Sequence, residues 1–320
     1  REWDVTLGIL EDRRDWETLW RLAQAAPPVW GVRALNRLEE VGWSPENGDQ
    51  RSGFRRLLDL ARPCNGEAPI LGVVDRPTAG FVAHQRRVSK LIISSYFQST
   101  LATGSWDGTV RIWSMPDGAP LETLPAHRHP VSALAANPDG SLLASGCGAE
   151  PWVAIWSMPD GKQALRLADH AKGVAGLAIS PDGRLLAAAG YDGTCNLWRL
   201  RDGSLLNVLR GHGAESVRSV AFSPDGKLLA TGGEDGRVLL WTLPDGKLTG
   251  RLAGHSMTVR SLVFTPDGSL LAGGSSDESV NLWSMSDRTL LKTLKGHSNV
   301  ISSLAVSGDG RVLASGSWDR

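Results

Sequence analysis

A chain of 320 residues is long enough for one large domain or two ordinary ones, so a sizeable core is within its reach. Its 34 basic and 34 acidic side chains cancel, which leaves no global field to draw in nucleic acid or an anionic membrane, and neither is expected as a partner. Three cysteines, Cys64, Cys147 and Cys195, are too few and too scattered for a disulfide framework, which points to a reducing, cytoplasmic setting.

Glycine at 37 and Trp at 13, against 5 Phe and 2 Tyr, call for an architectural explanation. The opening REWDVTLGIL lacks the basic, apolar, small-residue order of a signal peptide, and no apolar run is long enough to span a bilayer. The absence of an initial Met makes the chain read as a piece of something longer.

Residues 1–66 form a small α-helical segment in this reading. Trp16, Leu19, Trp20 and Ala23 recur at helical spacing, as do Phe54, Leu57, Leu58 and Ala61, while Val32, Leu35 and Leu38 mark a third stripe. Pro27 and Pro28 open the second helix, Gly42 closes it, and Ser52 is placed to cap the third. A helical cap packed through its Trp face is the plain interpretation; a partner-docking arm or part of a helical repeat array is the sharper one. Within the apolar, Pro-interrupted stretch 67–84, a strand over 70–82 is expected to complete a sheet further along the chain.

From there a period takes over. His84, His127, His170, His212, His255 and His297 are spaced by 43, 43, 42, 43 and 42 residues, and Trp113, Trp156, Trp198, Trp241 and Trp283 keep the same beat. Within one unit, 216–255, short apolar runs alternate with Pro-Asp-Gly and Asp-Gly turns, which predicts four strands at 216–222, 227–233, 236–242 and 247–252. A unit this small cannot bury both faces alone, whereas similar units set radially bury one another.

His before the first strand, Asp in the second hairpin and Trp ending the third strand resemble the WD40 repeat, a blade of a β-propeller. The resemblance is to SPDG-rich arrays of bacterial type and covers roughly 81–320, so the domain over 67–320 is expected to be a propeller. It implies a mainly β fold of four-stranded antiparallel blades, about five and a half of them here, in a ring that commonly has about seven. The closing ASGSWDR falls in the second strand and turn of a sixth blade, and its open edge is expected to favour self-association.

The resemblance also implies a hydrogen-bonded chain of His, hydroxyl, Asp and Trp inside each blade. His84, Thr103, Asp107 and Trp113 make a full set, and so do His212, Thr231, Asp235 and Trp241. Two blades depart: His170, Asp192 and Trp198 meet Ala188 where a hydroxyl is expected, and His255, Asp277 and Trp283 meet Gly273. In blade two an extra residue puts Glu150 at the Asp position and Pro151 after it, which argues against a tight Asp-Gly hairpin. One His per blade width cannot converge on a single ion, His129 reads as a loop residue, and no catalytic motif is present, so no metal, cofactor or enzyme activity is expected.

In WD40 propellers the residues flanking the first Val of the opening strand, and the residue before the hairpin Asp, lie on the face that most often binds partners. Here they read Arg87, Ser89, Trp106; Pro130, Ser132, Ala149; Gly173, Ala175, Tyr191; Ser216, Arg218, Glu234; Thr258, Arg260, Ser276; and Val300, Ser302, Trp318. Aromatic residues and Arg dominate interface energetics, which singles out Trp106, Tyr191, Trp318, Arg218 and Arg260 against a background of neutral surface drift. The expected function is a non-enzymatic scaffold or sensing module for a protein or peptide partner. The alternatives are a regulatory propeller of a larger enzyme whose catalytic part lies elsewhere and a propeller that only self-assembles.

Overall fold

The computed structural model describes residues 38, 84, 86–94, 100–114, 118–158 and 160–319. Leu38 is a buried helical residue; the rest of the expected helical segment and the expected strand over 70–82 lie outside the described residues. Every sheet described falls in the second of two compact units, Ala79–Arg320.

Five four-stranded sheets and one two-stranded sheet follow one another, at 88–124, 131–167, 174–210, 217–252, 259–295 and 301–317. Each four-stranded sheet is an antiparallel meander in which every strand pairs with its neighbour in sequence. In blade four the strands are Val217–Phe222, Leu228–Gly233, Val238–Thr242 and Lys247–Leu252, within two residues of those expected from the turn pattern. The two-stranded sheet, Ile301–Val306 and Leu313–Ser317, repeats the first half of that plan.

The hairpins follow from their residues. In Ser223-Pro224-Asp225-Gly226, the Ser223 hydroxyl donates to Asp225 at 2.6 Å and accepts from the Leu228 amide at 2.9 Å. Asp225 accepts the Lys227 amide at 3.0 Å, and Gly226 takes a φ of 68° that its missing Cβ makes inexpensive.

The core lies between the sheets. Val238, Leu240 and Leu252 of blade four pack with Val259, Leu271 and Trp283 of blade five, and Val153, Ile155 and Leu167 of blade two pack with Val174, Leu186 and Trp198 of blade three. Val131, Val174, Val217, Val259 and Ile301, one per opening strand, are fully buried against the blade before. Burying such side chains at about 25 cal/mol per Å² is the main force joining neighbours. Hydroxyl latches add direction: Ser89 and Ser132 donate to the Val131 and Val174 carbonyls of the following blade, and Ser219 to Val259 at 3.0 Å.

A bulge recurs at one place in all six sheets. The pairing register slips between Val88 and Lys90, Val131 and Ala133, Val217 and Ser219, Val259 and Ser261, and Ile301 and Ser303, and blade three skips Ala175 in the same way. A bulge leaves one residue unpaired and re-aims its side chain. The residues so freed are Ser89, Ser132, Ala175, Arg218, Arg260 and Ser302.

Candidate functional site

All six bulged residues line one cavity of about 1000 Å³ that draws on every blade. The bulge, not simple strand alternation, turns this column toward the axis. Trp106, Ala149, Tyr191 and Trp318, from the position before the hairpin Asp, line the same space, as do Arg87 and Pro130. Gly173, Ser216, Thr258 and Val300 from the outer flanking column do not, nor do Glu234 and Ser276.

Backbone bonding holds the second hairpin beside the start of the opening strand in every blade but the second. The amide of the residue before the hairpin Asp donates to the residue just outside the opening strand: Trp106 to Arg87 at 2.9 Å, Tyr191 to Gly173 at 2.9 Å, Glu234 to Ser216 at 2.9 Å and Trp318 to Val300 at 3.0 Å. Variable positions far apart in sequence are thereby held side by side.

Three arginines cover three aromatic rings. Arg87 lies over Trp106 in its own blade, with the guanidinium carbon 5.4 Å from the ring centroid. Arg218 of blade four lies over Tyr191 of blade three at 4.6 Å, and Arg260 of blade five over Trp318 of blade six at 5.0 Å. Glu234 stands beside the cavity, 3.5 Å from Arg218, and Arg260 Nε donates to Ser276 Oγ at 2.8 Å. Trp106 and Trp318 nevertheless remain 46% and 48% exposed, large apolar surfaces facing open space. The hydroxyls of Ser89 and Ser302 already bond backbone carbonyls, Gly104 at 3.0 Å and Gly316 at 3.1 Å, so their place at the cavity comes with a structural duty.

Lys90, one residue past the bulge, also lines the cavity and was not singled out from sequence. Its column reads Ala133, Gly176, Ser219, Ser261 and Ser303 in the other blades, so the signal was one long cation among small residues. Burial and the positive charge of Arg218 push its pKa down.

The repeat histidines face their own blades. His84 meets Asp107 at 3.0 Å and Thr103 at 2.9 Å, and Trp113 donates to the same hydroxyl at 2.8 Å. His212, Asp235, Thr231 and Trp241 make the same chain at 3.0, 2.9 and 2.9 Å. In blade two Glu150 does the work of Asp, accepting from His127 Nδ1 at 2.6 Å and receiving the Arg128 amide at 3.0 Å, while Ser145 links His127 to Trp156. His297 pairs with Asp319 at 2.8 Å and Ser315 at 2.8 Å. Blades three and five re-route: Trp198 donates to Asp169 at 3.1 Å and Trp283 to the Ala253 carbonyl at 2.9 Å, while His170 and His255 keep Asp192 at 3.1 Å and Asp277 at 2.9 Å.

His127, Cys147 and Glu150 bring one ligand-type atom each within 4.8 Å of one another. Both ring nitrogens of His127 are engaged with Glu150 and Ser145, and burial raises the Cys147 thiol pKa, which disfavours the thiolate a metal needs. Cys147 occupies the position of Ser105 and Ser275, whose hydroxyls receive the hairpin amide of Asp107 and Asp277, and its sulfur likewise receives the Ala149 amide at 3.4 Å. The cluster is a variant of the blade network.

Comparison with known proteins agrees with this architecture. The family described as WD domain, G-beta repeat matches at residues 75–114, 118–157, 161–199, 203–242, 246–284 and 288–320. The chain is similar to Coronin-7 of Bos taurus, 36% identical over 75 residues, which are 23% of this chain and 8% of that protein. It is 43% identical over 47 residues to the small ribosomal subunit protein RACK1y of Oryza sativa subsp. japonica, 15% of this chain and 14% of the relative. Telomerase Cajal body protein 1 of Mus musculus is 30% identical over 120 residues, 36% of this chain and 22% of the relative. The chain thus spans less than a quarter of the length of each of these relatives.

Proposed function

The chain belongs to the WD40 repeat family, and from that premise we propose that it is a non-enzymatic interaction scaffold whose partner docks at the axial cavity. The observation that carries the reading is geometric: the whole bulged column and four of the six residues of the hairpin column converge on one space with two half-exposed Trp side chains. Exposed aromatic and Arg side chains grouped around a concavity are the material of interface hot spots. The partner is a protein or peptide in a reducing, cytoplasmic setting, with the balanced net charge arguing against a nucleic acid or membrane surface.

Photo-cross-linking tests the reading. A light-activated residue at position 106 or 318 is expected to trap a protein partner, and one at position 245, in a turn at the other end of the strands, is not. Adducts formed from position 245 and not from 106 or 318 would place the interface elsewhere.

A further inference from the structure

Four cations line the axial cavity, Arg87, Lys90, Arg218 and Arg260, and among the described residues no carboxylate does. Of the four, Arg218 has an ion-pair partner, Glu234, itself outside the lining; among the described residues none pairs with Arg87, Lys90 or Arg260. In a chain whose charges cancel overall, the cavity therefore collects positive charge that Glu234 offsets only in part. A concave, partly desolvated wall strengthens such a field.

We infer that the cavity receives an acidic peptide segment, whose Asp and Glu carboxylates meet the guanidinium and ammonium groups of Arg87, Lys90, Arg218 and Arg260. This assignment rests on the proposed scaffold function and specifies its partner's chemistry. Contact with Trp106, Tyr191 and Trp318 holds each guanidinium carbon over a ring, and an aromatic face takes up no N–H donor strongly, so N–H groups remain to meet a carboxylate, the partner Arg recognises best. The same contacts argue against a quaternary ammonium ligand, because each of these rings already has a positive charge beside it that would repel such a cation. Burial and the neighbouring Arg218 charge lower the pKa values of Lys90 and Arg260, a mutual repulsion that a bound anion relieves.

The experiment uses the 320-residue chain and fluorescence anisotropy with a labelled twelve-residue peptide of alternating Glu and Gly. The Glu peptide is expected to bind, the matched Gln peptide to bind at least about tenfold more weakly, and the affinity to fall at least about tenfold between roughly 50 and 300 mM salt. Arg218→Gln with Arg260→Gln is expected to weaken binding at least about tenfold with the melting temperature retained. Arg87→Gln, at an exposed position, is expected to weaken binding in a background where folding is not at issue. No binding of the Glu peptide, equal binding of the Gln peptide or indifference to these substitutions would overturn the inference. A phosphoserine peptide or a twelve-nucleotide oligothymidylate binding more tightly than the Glu peptide would overturn the assignment to carboxylates. A partner trapped from position 106 alongside no binding of the Glu peptide would leave the scaffold reading standing and remove this one.

Discussion

Gly232 of blade four and Val259 of blade five approach so closely that a Cβ on Gly232 would fall 2.7 Å from Val259 Cγ1 and 2.4 Å from Ser219 Oγ. The same relation joins Gly104 to Val131, Gly146 to Val174 and Gly274 to Ile301, so a glycine in the second strand makes room for the buried residue that opens the next blade. Gly232→Ala is therefore expected to lower stability by about 1–3 kcal/mol through overpacking. Gly296→Ala, where an added Cβ meets nothing within 4 Å, is expected to change it by less than about 0.5 kcal/mol. Equal denaturation midpoints for the two variants would contradict the blade-to-blade contact.

His170 Nε2 is buried and has no hydrogen-bond partner among the described residues, because Ala188 stands where blades one, two, four and six carry a hydroxyl. Ala188→Ser is expected to supply one and to stabilise the chain by about 1 kcal/mol, while Thr231→Ala, which strips both His212 and Trp241, is expected to cost about 1–3 kcal/mol. Urea titrations of the two variants measure both. A loss of stability in Ala188→Ser would show that the site has closed around alanine.

Acid should weaken the blades in two stages. Burial pushes the His127 pKa down against the pull of Glu150, so the unfolded chain binds this proton first. Stability from that source is lost as pH falls below the ordinary imidazole value of about 6.5 toward the lower folded value. Asp107 behaves differently: burial acts to raise its pKa, but hydrogen bonds from the Thr109 hydroxyl and amide and from His84 outweigh it and hold the carboxyl at about 2. Its contribution is complete above about 4 and disappears as pH falls toward 2. Unfolding free energy followed against pH should show both declines, with His127→Gln removing the upper one and Asp107→Asn reducing the lower, to which Asp192 and Asp277, whose pKa values hydrogen bonds also lower, contribute as well. A profile flat from pH 7 to about 4 would contradict the first stage.

Much of this was legible in the sequence because the period repeats its constraints. The His and Trp spacing showed the number of units, and the Pro-Asp-Gly and Asp-Gly turns placed the four strands of blade four to within two residues. The bulge was not legible: its residue is Ser, Ala or Arg, and nothing local distinguishes an extra residue in a short strand from a paired one. Nor were the pairs Arg218 with Tyr191 and Arg260 with Trp318, which join different blades and depend on how far neighbouring sheets rotate about the axis. The substitutes Asp169 and Ala253 for Trp198 and Trp283 escaped because an indole N–H can reach any nearby acceptor once the expected hydroxyl is gone. Glu150 shows the converse, a longer acid reaching across an extra residue to the same histidine.

The most direct measurement is the fraction of a cross-linked partner retained by the chain carrying Trp106→Ala, Arg218→Ala and Arg260→Ala together, at unchanged melting temperature. The account predicts a drop of about tenfold or more, since these side chains furnish much of the exposed aromatic surface and charge of the cavity. Retention equal to that of the unaltered chain would contradict it.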